Sequence, residues 1–305
     1  MKFKDEQRER GIELVREGFF DGDTGNGVFR KKHYPFVLQD GLLNLYPNIR
    51  NEALEYFKKN KIAWWGGKYP SAHILSSQIA CLNHLFAIRH QKHAVLKILE
   101  AVSDDFIDVF PIPEYFEGYI QFEAVGGEVN FLNEGRNTRG RNCTSVDALI
   151  YALHQDGRRF LIPIEWKYAE TYGNDDKSKG DAGKERESRY GAFVKNSQLL
   201  NKNISSCWSY EPFYQLMRQT LWTEMMLKYR PRGFEADDYL HLHVIPDGNK
   251  ELLEKLYRCS NKKMEATWRN CLTNPNKYIV ISPKQLWSKQ SKNSRIYKYL
   301  SRRYW

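Results

Sequence analysis

The chain has 305 residues, of which 41% are hydrophobic and 14% aromatic; this composition excludes an intrinsically disordered protein. No apolar run reaches the roughly 18 residues that a membrane span requires. The first ten residues are too charged to form the apolar core of a signal peptide. We therefore expect a cytoplasmic protein that does not bind membranes.

The cysteines are consistent with a reducing compartment. They are odd in number and widely scattered, and no CxxC pair occurs, so the sequence indicates neither a zinc knuckle nor a disulfide framework. We expect reduced and mostly buried thiols. The five residues are Cys81, Cys143, Cys207, Cys259 and Cys271.

The net charge of +10 comes from 47 basic and 37 acidic residues. Such a surplus favours polyanionic partners, because binding to phosphates releases counterions. From Lys284 to Trp305 there are seven basic residues, interleaved with aromatic ones, and no acidic residue. This pattern is typical either of a nucleic-acid contact or of a solvated chain end. As DNA contacts we assign Lys292, Arg295, Lys298, Arg302 and Arg303.

The hydrophobic patterns predict a mixed α/β protein. A charged helix at 1–18 opens a loop-rich N-terminal region, and 71–89 is predicted to be a buried helix with Ser71 as its N-cap. Strands are predicted at 119–125, 144–154 and 159–168, a long helix at 211–229, and further strands at 239–245 and 278–281. The polar segment 172–188 is expected to be a mobile loop. The resulting α-β-β-β-α-β order indicates a central sheet flanked by helices.

Two of the predicted strands carry charged residues among apolar ones. Glu165 and Lys167 are two residues apart and therefore share a strand face. The position of Asp147 depends on the turn near Gly157. A two-residue turn would place Asp147 on the wrong face, whereas a three-residue loop with Gly157 left-handed would place it opposite Glu165. Pro163 cannot donate a ladder hydrogen bond, so a bulge or an unpaired position is expected there.

This set of side chains suits phosphodiester hydrolysis. Carboxylate oxygens hold Mg²⁺, which stabilises the charge that develops during hydrolysis, and a neighbouring lysine orients water or offsets phosphate charge. The alternative is a structural ion pair between the lysine and a carboxylate. An E-x-K tripeptide alone is weak evidence, since Asp175-Asp176-Lys177 also fits D-x-K in a polar segment.

The stretches NCTSVDA, IEWKYAE and YEPFYQLMRQ, beginning at residues 142, 164 and 210, resemble the PD-(D/E)xK nuclease superfamily, and more closely a bacterial group of restriction-endonuclease-like proteins. The likeness covers about residues 70–285, although Val146 stands where the superfamily has proline. It implies an αβββαβ core, with Asp147 and Glu165 as ligands of Mg²⁺ (or Mn²⁺) and Lys167 as the catalytic lysine. An upstream acid is expected, either Glu123 or Glu128, with Glu123 favoured.

The long helix at 211–229 adds a polar stripe. Gln215, Arg218 and Gln219 share one face, which either reaches the site or is ordinary solvated surface. We assign Gln219 to the catalytic group, and Gln215 and Arg218 to DNA binding. Gln78 on the early buried helix raises the same question. His241 and His243 lack a third ligand at recognisable spacing and are interpreted as core or surface residues rather than zinc ligands.

The sequence thus predicts a metal-dependent endonuclease that hydrolyses DNA, in restriction or another defence role. Its double-stranded substrate suggests a homodimer. A nucleic-acid-binding protein that kept the fold and lost the chemistry is the alternative, and an RNA substrate is a third reading. We divide the chain into an N-terminal extension (1–70), a nuclease core (71–285) and a basic aromatic tail (286–305).

Overall fold

The structure is a computed structural model and describes residues 1–65, 67–113, 118–126, 131–135, 139, 143–173 and 176–305, excluding the side chains of 204–206. Glu128, the alternative upstream acid, and Asp175, from the D-x-K tripeptide, lie outside the described residues. The helices are α1 (Phe3–Arg16), α2 (Arg50–Lys59), α3 (Ser77–Leu85), α4 (Lys92–Glu100), α5 (Gly180–Asn196), α6 (Phe213–Tyr229), α7 (Lys250–Leu253), α8 (Met264–Asn270), α9 (Pro283–Leu286) and α10 (Arg295–Tyr304). The strands are β1 (Gly27–Phe29), β2 (Lys32–Tyr34), β3 (Phe106–Phe110), β4 (Ile120–Ala124), β5 (Val146–His154), β6 (Arg159–Trp166), β7 (Asp238–Tyr239), β8 (His241–Val244) and β9 (Tyr278–Ile281).

A mixed sheet forms the centre of the molecule. β5 pairs antiparallel with β6 on one side, and with both β3 and β4 on the other. β6 pairs parallel with β7 and β8, and β8 pairs parallel with β9. The predicted mixed α/β architecture with a central sheet and flanking helices is confirmed. Among the described residues, no helix has both the length and the apolar character needed to cross a bilayer.

The β5–β6 hairpin adopts the three-residue loop that aligns the charged residues. The N–H of His154 donates to the carbonyl of Arg158 (2.9 Å), and Gly157 has a φ of +85°. The register places Ala148 opposite Ile164, so that Asp147 and Glu165 face each other one residue further along. The loop requires a left-handed residue, which glycine adopts without steric cost.

Pro163 lies where the neighbouring strand is interrupted. The N–H of Leu240 donates to the carbonyl of Leu161 (3.0 Å), so residue 163, two positions along, also turns its backbone edge towards that strand. Leu240 separates β7 from β8. The ladder between β6 and the neighbouring strands β7 and β8 is therefore interrupted at Pro163, which has no N–H to donate. The interruption expected at this residue is confirmed.

Several predicted boundaries on the N-terminal side of the sheet were wrong. α3 begins at Ser77, and its N-cap is Ser76, whose hydroxyl accepts from the N–H of Ile79 (3.4 Å), rather than Ser71. β3, α2 and α4 were not predicted. Short apolar runs do not separate strands from helices by periodicity alone, which explains why β3 and α4 were missed.

The segment 172–188 is not a loop throughout, because α5 begins at Gly180. Three glycines and few apolar residues weaken its helical pattern. One of these glycines is required by close packing, since a Cβ at Gly183 would lie 1.9 Å from the carbonyl oxygen of Ser178. The Arg186 guanidinium also donates to the carbonyl of Lys177 (2.7 Å), which fixes the start of the helix.

Two large hydrophobic clusters cover the two faces of the sheet. One contains Ile150, Ile162 and Trp166 together with α2, α3, α4 and α10. The other contains Leu149 and Leu161 together with α6 and α8. Residues from all three predicted segments contribute to the first cluster, so the N-terminal and C-terminal extensions pack directly against the sheet.

The C-terminal segment is part of this core. Leu300 and Tyr304 are buried in α10, and Arg303 is 1% exposed. The Arg303 guanidinium donates to the carbonyl of Asn44 and to the hydroxyl of Tyr299 (both 2.5 Å). The assignment of Arg303 as a DNA contact is therefore wrong, because the aromatic residues between the basic ones draw α10 into the interior.

Cys207 and Cys259 form a disulfide, with Cα atoms 5.2 Å apart, which corrects the expectation that all the thiols are reduced. The two residues are 52 positions apart in sequence and meet only through the tertiary fold. Cys81, Cys143 and Cys271 are free thiols. The cysteine pattern therefore no longer supports a reducing compartment.

The neighbouring residues Arg302 and Arg303 provide a test of how α10 packs against the core. We expect Arg303→Ala to lower the free energy of unfolding by about 3 kcal/mol, because buried polar groups then lose their charged partner. Arg302→Ala removes an exposed pair with Glu17 (2.8 Å) and should change it by less than about 1 kcal/mol. Urea unfolding of both variants measures the difference, and equal effects would contradict the packing described for Arg303.

Candidate active site

The charged residues of the hairpin meet at the end of the sheet where β4 also ends. Asp147 is part-buried, and its carboxylate accepts a hydrogen bond from the N–H of Trp166 (2.7 Å). Glu165 and Lys167 are both buried. The structure thus brings together Asp147, Glu165 and Lys167, three of the residues that the sequence assigned to the catalytic group.

Glu165 and Lys167 form a buried ion pair held from α6. The Lys167 ammonium donates to Glu165 Oε1 and to Gln215 Oε1, the latter at 2.8 Å. Gln219, which is 1% exposed, donates to the second oxygen of Glu165 and to the carbonyl of Ser145 (3.2 Å). The two glutamines lie one helical turn apart and thereby fix both members of the pair. The polar stripe on α6 reaches the site.

Glu123 enters the same cluster through an unusual backbone conformation. Its φ is +49°, a left-handed conformation that costs a non-glycine residue about 1–2 kcal/mol. The buried Arg139 donates to the carbonyls of Phe122 (2.6 Å) and Glu123 (2.9 Å) and stabilises the irregular strand. The two carboxylate oxygens accept from Gln78 (2.7 Å) and Ser145 (2.9 Å).

The three carboxylates repel one another in a poorly solvated site. Burial, followed by the charges of Glu165 and Glu123, raises the pKa of Asp147 well above its usual range. Burial also raises the pKa of Glu123, against the donors Gln78 and Ser145, and Glu165 raises it further. Burial opposes the charged form of Lys167, but the carboxylate of Glu165 holds its pKa well above the ordinary value. Negative charge therefore exceeds positive charge in this cluster.

A cleft of about 490 Å³ opens beside the cluster. Asp147, Glu123 and Ser145 line its floor, and α6 contributes Gln215 and Arg218. The opposite wall is α5, a helix that sequence analysis missed. The α5 residues that line the cleft are Ala182, Glu185, Arg186, Arg189 and Tyr190.

A second polar network occupies the wall of the cleft. The carboxylate of Glu134 accepts from the N–H of Thr144 (2.6 Å) and from the Tyr190 hydroxyl (2.6 Å), and it lies 3.7 Å from the Arg218 guanidinium. Arg218 also lies over the ring of Tyr214, 5.0 Å from its centroid. This network connects α6 to α5 and holds Arg218 at the cleft.

The basic tail lies elsewhere. Lys292, Arg295, Lys298 and Arg302 are exposed, but none of them lines the cleft. Arg295, Lys298 and Arg302 lie on α10, which packs in the cluster on the Trp166 side of the sheet, whereas Glu165 and Lys167 face α6. The tail and the charged side chains of the hairpin are therefore on different faces of the sheet.

Among the described residues, no group of three or more histidine, cysteine, aspartate or glutamate side chains is arranged to hold a metal ion. His241 and His243 are buried on β8, and burial lowers the pKa of His241 to about 3, so the interpretation as core residues is confirmed. The sequence did not predict Ser145, Glu134 or the arginines of α5. Ser145 lies two residues before Asp147, and its alternation with that residue is a signal that could have identified it.

A double-mutant cycle tests the buried ion pair. We expect Lys167→Met to destabilise the metal-free protein by about 3–5 kcal/mol, because the buried Glu165 loses its counter-charge. Glu165→Gln combined with Lys167→Met should recover much of that loss. Urea unfolding in EDTA measures Lys167→Met, Glu165→Gln and the double variant, and purely additive effects of the two substitutions would contradict the coupling.

Comparison with known proteins gives one match. No curated protein and no solved structure matches the chain. The model of the family described as "Restriction Endonuclease associating with ARP" matches residues 13–305, which is nearly the whole chain. The protein therefore belongs to this restriction-endonuclease family.

Proposed function

We propose that the protein is a metal-dependent nuclease of the PD-(D/E)xK type that hydrolyses DNA phosphodiester bonds. The observation that carries the proposal is the placement of Asp147 opposite Glu165, with Lys167 on the same face, beside an open cleft. Family membership supports a nuclease-like role. The strand order also supports the type, since β4, β5 and β6 are antiparallel and β8 returns parallel to β6 after α6.

The donor set fits a divalent cation. Asp147 and Glu165 would hold Mg²⁺, or Mn²⁺ in its place. Burial raises the pKa values of Asp147 and Glu123, and the charge of Glu165 raises both further; a bound cation would offset that negative charge. Magnesium needs few protein ligands, because it keeps several waters and takes one or two carboxylates together with substrate phosphate. When bound, the ion would stabilise charge developing on the phosphate and acidify a coordinated water.

The protein's own residues have separate roles in this proposal. Lys167 would position the attacking water and offset phosphate charge, since its ammonium has a fixed direction set by Gln215. Gln219 acts as a positioning residue, because it holds the second oxygen of Glu165. Glu123 supplies the third negative charge and is tied to the cluster through Ser145.

The cleft suits a phosphate backbone. Lys177, Arg186, Arg189 and Arg218 line it, and three of them pair there with Glu211, Glu185 and Glu134. We propose that these cations contact phosphates, which gives affinity without reading sequence. We propose double-stranded DNA as the partner, a homodimer as the form that cuts both strands, and restriction or another defence as the setting.

One observation favours a second candidate, a nucleic-acid-binding protein without catalysis. Lys167 neutralises Glu165 directly and both side chains are fully engaged by α6, an arrangement that needs no metal to be stable. Such a protein would bind DNA and leave it intact at every metal concentration.

Three substitutions test the proposed chemistry. Asp147→Ala, Glu165→Ala and Lys167→Ala should each reduce cleavage of plasmid DNA in Mg²⁺ by at least about 100-fold, because charge stabilisation and activation of the nucleophile are lost. The carboxylate variants should also lose the stabilisation of the fold by Mg²⁺, whereas Lys167→Ala should keep it. DNA binding by the carboxylate variants should be equal or tighter, since repulsion of phosphate is relieved.

Glu235→Ala serves as the control, because Glu235 is exposed and pairs with Arg159 outside the cleft. It should cut DNA at the parental rate. Thermal melting of each variant shows whether it is folded. A folded Lys167→Ala protein that cuts at the parental rate would overturn the assignment, and a wild-type protein inactive in both Mg²⁺ and Mn²⁺ would favour the non-catalytic binder.

A further inference from the structure

A second groove, of about 660 Å³, adjoins the catalytic cleft. Trp65 lines both of them. The backbone N–H of Trp65 donates to Gln78 Oε1 (2.9 Å), and the side-chain amide of Gln78 donates to the carboxylate of Glu123 (2.7 Å). One buried side chain therefore connects the wall of the groove to the catalytic cluster. Ala169 and Glu170 also line the groove, and they follow Lys167 closely in the chain.

The groove carries large aromatic rings that are left in solvent. Trp65 is 71% exposed and Tyr69 is 65% exposed. The adjacent Trp64 contrasts with them, since it is buried and stacks on Phe57 with the ring centroids 3.7 Å apart. Rings of this size bury large areas when they find a partner, so their exposure next to a cleft indicates a binding surface.

Positive charge accompanies these rings. Lys4, Arg30 and Lys68 line the groove and are exposed, and Glu170 is its acidic residue. Arg30 lies at the tip of the β1–β2 hairpin, where Arg30 and Lys31 have φ values of +49° and +66°, positions that usually favour glycine or asparagine. Two cationic residues occupy a turn where backbone preference alone would not place them.

His73 packs against the β1–β2 hairpin. Burial, followed by the charges of Lys4 and Arg8, lowers the pKa of His73 to about 4. The ring of His73 packs edge-on against Phe29, 4.9 Å away, and thereby holds the hairpin on the wall of the groove. The charge and the rings are thus parts of one surface.

We propose that this groove, defined by Lys4, Phe29, Arg30, Trp65, Lys68 and Tyr69, binds a single-stranded stretch of DNA that leads into the catalytic cleft. The inference rests on the proposed function for its substrate. Bases in a duplex are covered by their neighbours, so exposed rings stack most readily on unpaired bases. The cations would contact the phosphate backbone of the DNA strand. Exposed rings combined with cations are typical of surfaces that bind single strands without reading sequence.

The substrate of the cleft is accordingly DNA with an unpaired segment beside the bond that is cut. A blunt duplex would use the cleft and leave Trp65 and Tyr69 without a stacking partner. A duplex with a single-stranded extension would engage both surfaces, and the aromatic groove would select it.

Binding to a fluorescein-labelled thymidine 20-mer, measured by anisotropy in EDTA, tests the groove without cleavage. Trp65→Ala and Tyr69→Ala should each weaken binding roughly tenfold, and Trp65→Phe should retain most of the affinity. Tyr229→Ala removes another exposed aromatic residue, outside the groove, and should have no effect. A blunt duplex of equal length should bind the wild-type and the Tyr69→Ala proteins equally, because Tyr69 lines the groove and not the cleft.

Charge is tested by salt dependence. The triple variant Lys4→Ala/Arg30→Ala/Lys68→Ala should reduce the slope of log affinity against log salt for the 20-mer by about 2. The charge-matched control Lys292→Ala/Arg295→Ala/Lys298→Ala, in the tail at and just before α10, should leave the slope unchanged. The reverse result would overturn the proposal and return DNA binding to the tail.

The outcomes separate this inference from the proposed chemistry. Unchanged 20-mer binding by the Trp65→Ala/Tyr69→Ala protein would overturn the groove, even if Asp147→Ala abolishes cleavage. If that variant binds the 20-mer normally but loses self-association in sedimentation, the aromatic surface is a protein interface and the inference is wrong. Weakened 20-mer binding in a protein that never cuts DNA would refute the chemistry and leave the groove supported.

Discussion

Two buried carboxylates, the part-buried carboxylate of Asp147 and one buried ammonium group are brought together at the end of the sheet. Removing a charge from water costs several kcal/mol unless a partner and hydrogen bonds compensate, and the surrounding structure provides these. Lys167 neutralises Glu165, while Gln215, Gln219, Gln78 and Ser145 form hydrogen bonds with the charged groups. The compensation is incomplete, because the pKa of Asp147 is still raised well above its usual range. A protein that needed only stability would gain by replacing this cluster with apolar residues.

The helices on the two faces of the sheet differ in their contacts with this cluster. α6 is fastened to it by two glutamines and a network through Arg218 and Glu134, and α5 is fastened to that network through Tyr190. On the other face, Trp166 and α10 belong to a separate hydrophobic cluster. The charged side chains and this apolar cluster therefore lie on different faces of the sheet.

The sequence predicted the parts that depend on short-range geometry. Strand alternation and Gly157 left two hairpin registers open, and the structure adopts the three-residue loop that brings Asp147 opposite Glu165. Glu123 was identified as the favoured upstream acid, but its left-handed backbone depends on Arg139, which is distant in sequence. The helix α5, the burial of Arg303 and the Cys207–Cys259 bond all depend on tertiary packing that no local pattern encodes. Polar glycine-containing sequence resembles a loop until its partners are known.

The central claim is that Asp147 and Glu165 jointly hold a divalent cation next to Lys167. A crystal of the wild-type protein grown with Mn²⁺ and examined by anomalous scattering tests this most directly. The account predicts an anomalous peak between the two carboxylates, with the Lys167 ammonium displaced from Glu165 to make room for it. A map at saturating Mn²⁺ with no peak there, and with the Glu165–Lys167 pair intact, would contradict it.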